Sequence, residues 1–134
     1  MRASDIMFGQ ESIKHEFRDG RSLVCLLEDI MNQRITTDDV PPLEICNING
    51  QECCINGNRR LLVLKMLEKY GLIKTASVER WQGSVLEISL TVGNDVIIRN
   101  HPEVREQMES ALNVWLVNNQ SEPEAPADIS RDRS

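Results

Sequence analysis

Hydrophobic positions change period along the chain, and each change marks an element. In "FRDGRSLVCLLEDIMNQ" the apolar residues Leu23, Val24, Leu26, Leu27, Ile30 and Met31 recur at i, i+3, i+4 and i+7, the spacing of one helical face. Gly20 and Ser22 supply a flexible lead-in and a cap, so the pattern predicts a helix of about ten residues with Glu28 and Asp29 toward water. The following "RITTDDVPPLEICNINGQECCIN" loses that period. Pro41 and Pro42 forbid a helix, "LEICN" and "QECCI" are short strand-like runs, and Asn49-Gly50 between them is a strong hairpin signal. A two-residue turn there pairs Ile48 with Gln51 and Cys46 with Cys53.

Residues 59 to 70, "RRLLVLKMLEKY", return to helix and end at Gly71 as a left-handed cap. Leu61, Leu62, Leu64, Met66 and Leu67 cover more than one face, which predicts burial on most sides. "LIKTASVERW" and "SVLEISLTVGNDVIIRN" read as strands or extended segments, broken at Gly83 and Gly93-Asn94, and their pairing stays open. In "HPEVREQMESALNVWLV", Pro102 suits the first helical position, Asn100 or His101 can cap, and Glu103 and Glu106 fall where the helix dipole favours acids. Val104, Met108, Ala111, Leu112 and Trp115 form one stripe, an amphipathic helix that docks on the domain or presents a face to a protein partner. After Val117, "NNQSEPEAPADISRDRS" is polar and aperiodic, so 118–134 is expected to be a disordered tail.

The chain has 134 residues, 40% hydrophobic and 27% charged, which suits one compact domain. Aromatic residues make up only 4%, so the core must come from Leu, Ile, Val and Met. The net charge of -6 argues against nucleic-acid binding by bulk electrostatics, because counterion release needs a basic face. A local basic pocket is still allowed. The amino terminus lacks an uninterrupted apolar run, and no segment approaches the roughly 18 apolar residues that span a bilayer. The expectation is a soluble intracellular protein, in cytoplasm or nucleus, with no membrane partner. Cys25, Cys46, Cys53 and Cys54 lack C-x-x-C spacing and read as reduced thiols, mostly small core hydrophobes. No metal ligand set is expected, although Cys46, Cys53 and Cys54 would lie together if the hairpin register holds.

Candidate chemistry gathers at "INGNRRLLVLKML", where a strand passes through Asn56-Gly57-Asn58 into a helix at Arg59. Backbone N–H groups at a helix start are unpaired, the dipole is positive there, and a glycine lets a ligand approach the backbone. Arg59 and Arg60 add bidentate donors suited to phosphate or carboxylate. The plainer alternative is that both are solvated, or paired with Asp38, Asp39 or Glu52, and spacing alone favours it. The turn is neither a Walker A loop nor a G-x-G-x-x-G fingerprint.

The order of segments, "FRDGRSL", "DDVPPLEI", "NGQECCI" and "GNRRLLVLKML", resembles the ParB/sulfiredoxin-like domain, over about residues 6 to 72 with "KTASVERW" as the strand that follows. The resemblance implies an α/β (α+β) domain over 1–117, a small mixed sheet with flanking helices, with a core at 6–82 and an extension at 83–117 carrying the C-terminal helix. It also implies a pocket for a phosphate-bearing ligand, a nucleotide, formed by Gly57, Asn58, Arg59 and Arg60; Arg21 and His15 are expected across the cleft, and the cofactor stays open, with a nucleotide and Mg²⁺ as the candidate. In the ParB branch the related turn binds and hydrolyses nucleotide, beside separate DNA-binding parts. In the sulfiredoxin branch it reads "G-G-C-H-R", and the catalytic Cys falls on Asn58, the His on Arg59, and the Arg on Arg60. Asn58 has no nucleophilic sulfur, so sulfinic acid reductase activity is expected to be absent. Gly57 stands where a "D-N-R-R" subgroup has Asp, which puts that acid's role in doubt here. No helix-turn-helix follows, so chromosome partitioning is not implied.

Other candidates have weaker claims. His15 beside Asp19 could act as a base, but a lone His among charges is more often a surface residue. Asp19 with Arg18 and Arg21 reads as an ion-paired turn, with Arg21 alternatively holding the anion. Asp38-Asp39 before "VPP" could ligate Mg²⁺, although acids there are commonly turn residues. No attacking group or base for hydrolysis is identified. The alternative function is a non-catalytic interaction module that kept the fold and lost the chemistry; nucleic-acid binding or nuclease activity is disfavoured by the charge.

Overall fold

The computed structural model describes residues 1–84 and 90–120. In chain order they form β1 (Ile6–Met7), β2 (Ser12–Ile13), α1 (Leu23–Met31), β3 (Leu43–Ile48), β4 (Gln51–Asn56), α2 (Asn58–Lys69), β5 (Val78–Arg80), β6 (Ile97–Ile98) and α3 (Glu103–Gln120), with short 3-10 turns at Ala3–Asp5 and Thr37–Asp39. The architecture is mixed α/β. One sheet has the order β1-β4-β3-β5, and β2 and β6 form a separate parallel pair.

The β3–β4 hairpin follows from its turn. Asn49 and Gly50 both have positive φ, 52° and 88°, as a two-residue turn that matches strand twist requires. Ile48 therefore pairs with Gln51 and Cys46 with Cys53, in the expected register. Beside this hairpin, β1 adds to β4 and β5 adds to β3, both in parallel. Leu43, Ile45 and Cys54 turn inward to the helices, and all three are buried.

Helix α1 is capped as its sequence predicts, the Ser22 hydroxyl accepting from the Val24 N–H at 3.0 Å. Its wet side differs from expectation at one place. Asp29 is only 16% exposed, because Arg21 and Arg34 close on it at 2.6 and 2.8 Å. Helix α2 is buried at Leu61, Leu62, Val63, Leu64, Met66 and Leu67. It ends in paired bonds from the Gly71 N–H to the Glu68 carbonyl and from the Leu72 N–H to the Leu67 carbonyl, the closure a left-handed Gly71 permits.

Helix α3 starts one residue after Pro102 and extends through Gln120. Val104, Met108 and Leu112 are buried and α3 packs on α1, so these residues share one core with the sheet and α2. The extended reading of "SVLEIS" falls largely on 85–89, and the tail expected over 118–134 falls mostly on 121–134, both outside the described residues; 118–120 continue α3 instead of opening the tail. Strand β6 is placed by β2: Ser12 pairs with Ile97 and Ile13 with Ile98. No helix among the described residues is long and apolar enough to cross a membrane.

Candidate functional site

The β4–α2 turn is built around Gly57, which caps α2 with φ at 106°. A side chain there is excluded twice, by the backbone angle and by space. A Cβ would lie 2.8 Å from both the Arg60 Nη2 and the Leu43 Cδ2. The first intrahelical bond is donated by the Leu61 N–H to the Gly57 carbonyl at 2.7 Å, so the N–H groups of Asn58, Arg59 and Arg60 have no partner within the helix.

Asn58 is a buried staple. Its Oδ1 accepts from the Gly9 N–H at 3.0 Å and its Nδ2 donates to the Cys54 carbonyl at 3.3 Å, and the residue is 4% exposed. Gly9 is needed at that contact, since a Cβ on it would strike the Cys54 carbonyl. The Asn58 amide thus sets the path of the β1–β2 connection against β4 and is spent on structure.

The two arginines are held by backbone carbonyls. Arg59 Nη1 donates to the Glu16 carbonyl at 2.7 Å, and its guanidinium carbon lies 5.7 Å from the Phe17 ring centroid. Arg60 Nη2 donates to the Pro42 carbonyl at 3.2 Å, while its Nε is buried without a hydrogen-bond partner. Burial depresses the pKa of the Arg60 guanidinium, with Arg59 beside it working in the same direction. Two of the three acids offered by the sequence as partners are engaged elsewhere, Glu52 with Arg80 at 2.5 Å and Asp39 with the Thr36 N–H at 2.9 Å. Among the described residues neither arginine is ion-paired with a carboxylate.

Gly57, Asn58, Arg59 and Arg60 line one cavity of about 200 Å³, together with Gln10, Phe17 and Arg18. Beside it is a cavity of about 500 Å³, which shares Gln10, Phe17, Arg18 and Arg59 and adds Lys14, Glu16 and Arg99. Arg21 is not in either. It faces a third cavity, of about 260 Å³, whose wall includes Arg60 and Asp39, and it is bound to Asp29. His15 lies over His101, ring centroids 3.9 Å apart, with its Nε2 3.4 Å from Glu16, and these two rings line a separate cavity with Lys14 and Arg99. The structure therefore gathers the Gly57–Arg60 turn residues and sets Arg21 and His15 in neighbouring cavities.

Gln10 and Arg18 at the turn cavity, and Lys14 and Arg99 in the cavity beside it, were not anticipated there. "IKHEFRDGR" carries a local signal, a density of basic residues around Phe17. Arg99 carries none, since it arrives through the β2–β6 pairing.

The thiols divide as burial dictates. Cys53 and Cys54 are buried, Cys46 is half-buried, and Cys25 is exposed on α1. Burial pushes the Cys54 thiol up to about 12 and raises Cys53 as well. No cluster of three or more His, Cys, Asp or Glu able to hold a metal occurs among the described residues. No family model, curated protein or solved structure matches the chain.

Proposed function

We propose that the Gly57–Arg60 turn binds the phosphate group of a small anionic ligand, and that the ligand is a nucleotide. The observation that carries the reading is the state of the cations. In a chain of net charge -6, Arg59 and Arg60 are pinned by carbonyl oxygens, which direct them without neutralising them. Three backbone N–H groups without a partner among the described residues open a 12-residue helix at the same place, so donors and positive charge converge on one cavity. The nucleotide, rather than another phosphate compound, rests on the resemblance to ParB/sulfiredoxin-like domains, whose "G-x-R-R" turn corresponds to Gly57–Arg60. The mixed sheet and the helix that opens at Asn58 are compatible with that family's layout.

The activity is binding. Asn58 occupies the place of the reactive thiol of one branch of that family, and its amide is already bonded at both ends. Cys54, whose backbone carbonyl accepts from the Asn58 amide, is no substitute nucleophile, because burial pushes its thiol further up, to about 12.

Thermal shift with ATP, CTP and GTP, each with and without Mg²⁺, tests the reading on wild type and on Arg18→Ala. Arg18 is exposed and makes no hydrogen bond or ion pair among the described residues, so its loss leaves the fold intact. A saturable rise in Tm with one nucleotide, weakened in Arg18→Ala and abolished in Arg59→Ala/Arg60→Ala, is the expected result. No rise at about 10 mM of any nucleotide refutes it and favours a non-catalytic interaction module.

A further inference from the structure

We propose that the cavity beside the turn is a second anion subsite, formed by Lys14, Arg18 and Arg99, and that the ligand carries two linked phosphates which span both cavities. The proposal rests on the phosphate reading of the turn and adds to it the size and charge of the ligand.

The second cavity is built by long-range pairing. β2 and β6 run in parallel, and the Arg99 N–H donates to the Ile13 carbonyl at 2.9 Å, which sets Arg99 beside Lys14. Arg18 and Arg59 border this cavity and the turn cavity alike. Four basic side chains thus surround about 500 Å³, a volume suited to a small ligand. Among the described residues the side chains of Lys14, Arg18 and Arg99 make no ion pair or hydrogen bond.

One carboxylate reaches the same wall, that of Glu16. It is 46% exposed and lies 3.4 Å from the His15 ring, so it offsets the cations only in part. Like charges held around a common space repel each other when it is empty, and a polyanion relieves that repulsion at every one of them. A lone phosphate seated on the Gly57–Arg60 turn meets Arg18 and Arg59 but leaves Lys14 and Arg99 unmatched. A second phosphate linked to the first reaches them. The chain's acidic balance disfavours a nucleic-acid strand, which needs a continuous basic track beyond the cavity.

Calorimetric titration with the three phosphates (inorganic phosphate, pyrophosphate and tripolyphosphate), and separately with a single-stranded oligonucleotide, on wild type, Lys14→Ala/Arg99→Ala, Arg59→Ala/Arg60→Ala and Lys69→Ala, decides the matter. Lys69 sits in the last turn of α2, at the far end of the helix from the site, and serves as a charge control. Pyrophosphate should bind wild type at least about tenfold more tightly than phosphate. The Lys14→Ala/Arg99→Ala variant should lose that advantage while its phosphate affinity stays within about twofold, and Lys69→Ala should match wild type. Phosphate binding that depends on Arg59 and Arg60, with no gain for pyrophosphate or no effect of Lys14 and Arg99, overturns the second subsite and leaves the turn site standing. No binding of any of the three overturns both. Oligonucleotide binding lost in the Lys14→Ala/Arg99→Ala variant, with pyrophosphate inert, overturns the small-molecule assignment.

Discussion

Arg59 reaches across 43 positions of sequence to Glu16, its Nη1 donating to the Glu16 carbonyl at 2.7 Å. The bond ties the segment after β2 to the start of α2 and packs Phe17 under the guanidinium. A charged residue at the mouth of an apolar helix therefore organises the loop that walls the site.

Removing that tie should loosen the loop before it unfolds the domain. In Arg59→Ala the Phe17 N–H, bonded to the Arg21 carbonyl at 2.8 Å, should exchange with solvent several-fold faster, while Leu64 in the middle of α2 stays protected. Amide hydrogen exchange read by NMR checks this. Equal exchange at Phe17 in variant and wild type would contradict the role given to Arg59.

Asn58→Ala removes an acceptor from the buried Gly9 N–H and a donor from the Cys54 carbonyl. Leaving those groups unmatched should cost about 1–3 kcal/mol, a fall in Tm of roughly 4–12 °C by calorimetry. A loss below about 0.5 kcal/mol would mean that the amide is not the staple described.

Gly57→Ala should cost about 1–3 kcal/mol in chemical denaturation, from the positive φ and the contact with Leu43. Because the new methyl also meets Arg60 Nη2, ligand affinity should fall beyond what lost stability explains. An alanine variant as stable as wild type would place the backbone angle elsewhere.

Glu68 gives a pH signature. Burial pushes its carboxyl up, but the Ala3 N–H at 2.6 Å and the Ser4 N–H at 3.1 Å, with Ser4's side chain and Arg2, outweigh that and hold it below the ordinary 4.5. A carboxyl lowered on folding stabilises the native state above its unfolded pKa and loses that contribution as pH falls. Glu68→Gln should thus be less stable than wild type by about 1 kcal/mol at neutral pH, with the gap closing as pH drops below 4.5. Urea unfolding across that range measures it, and a gap independent of pH would rule the ionised contact out.

Thiol labelling separates the cysteines. At about pH 8, Cys25 should react with a maleimide in the native protein, whereas Cys54, raised to about 12, should react only on unfolding. Mass spectrometry of labelled peptides assigns the sites. Native labelling of Cys54 would contradict its burial.

The sequence announced those parts of the fold that depend on local chemistry. Asn49-Gly50 set the hairpin register, Ser22 the start of α1 and Gly71 the end of α2, each because a turn or cap is decided by adjacent residues. The parallel pairs β2–β6 and β3–β5 were not legible, since their partners are far apart in sequence and β2, β5 and β6 are only two or three residues long. The site shows the same division. Gly57, Arg59 and Arg60 could be read as a turn, but their partners, the Glu16 and Pro42 carbonyls, carry no side-chain signature. Arg21, chosen for its position near the helix start, is held by Asp29 and faces another cavity.

The central claim is that the Gly57–Arg60 turn receives a phosphate, and backbone amide shifts report it most directly. Phosphate titrated into ¹⁵N-labelled protein at constant ionic strength should move the N–H resonances of Asn58, Arg59 and Arg60 saturably downfield, as unpaired donors acquire an anion. Resonances of exposed Lys69 and Lys74 should stay in place. Unmoved amides at 58–60, or shifts spread evenly over the exposed lysines, would contradict the account.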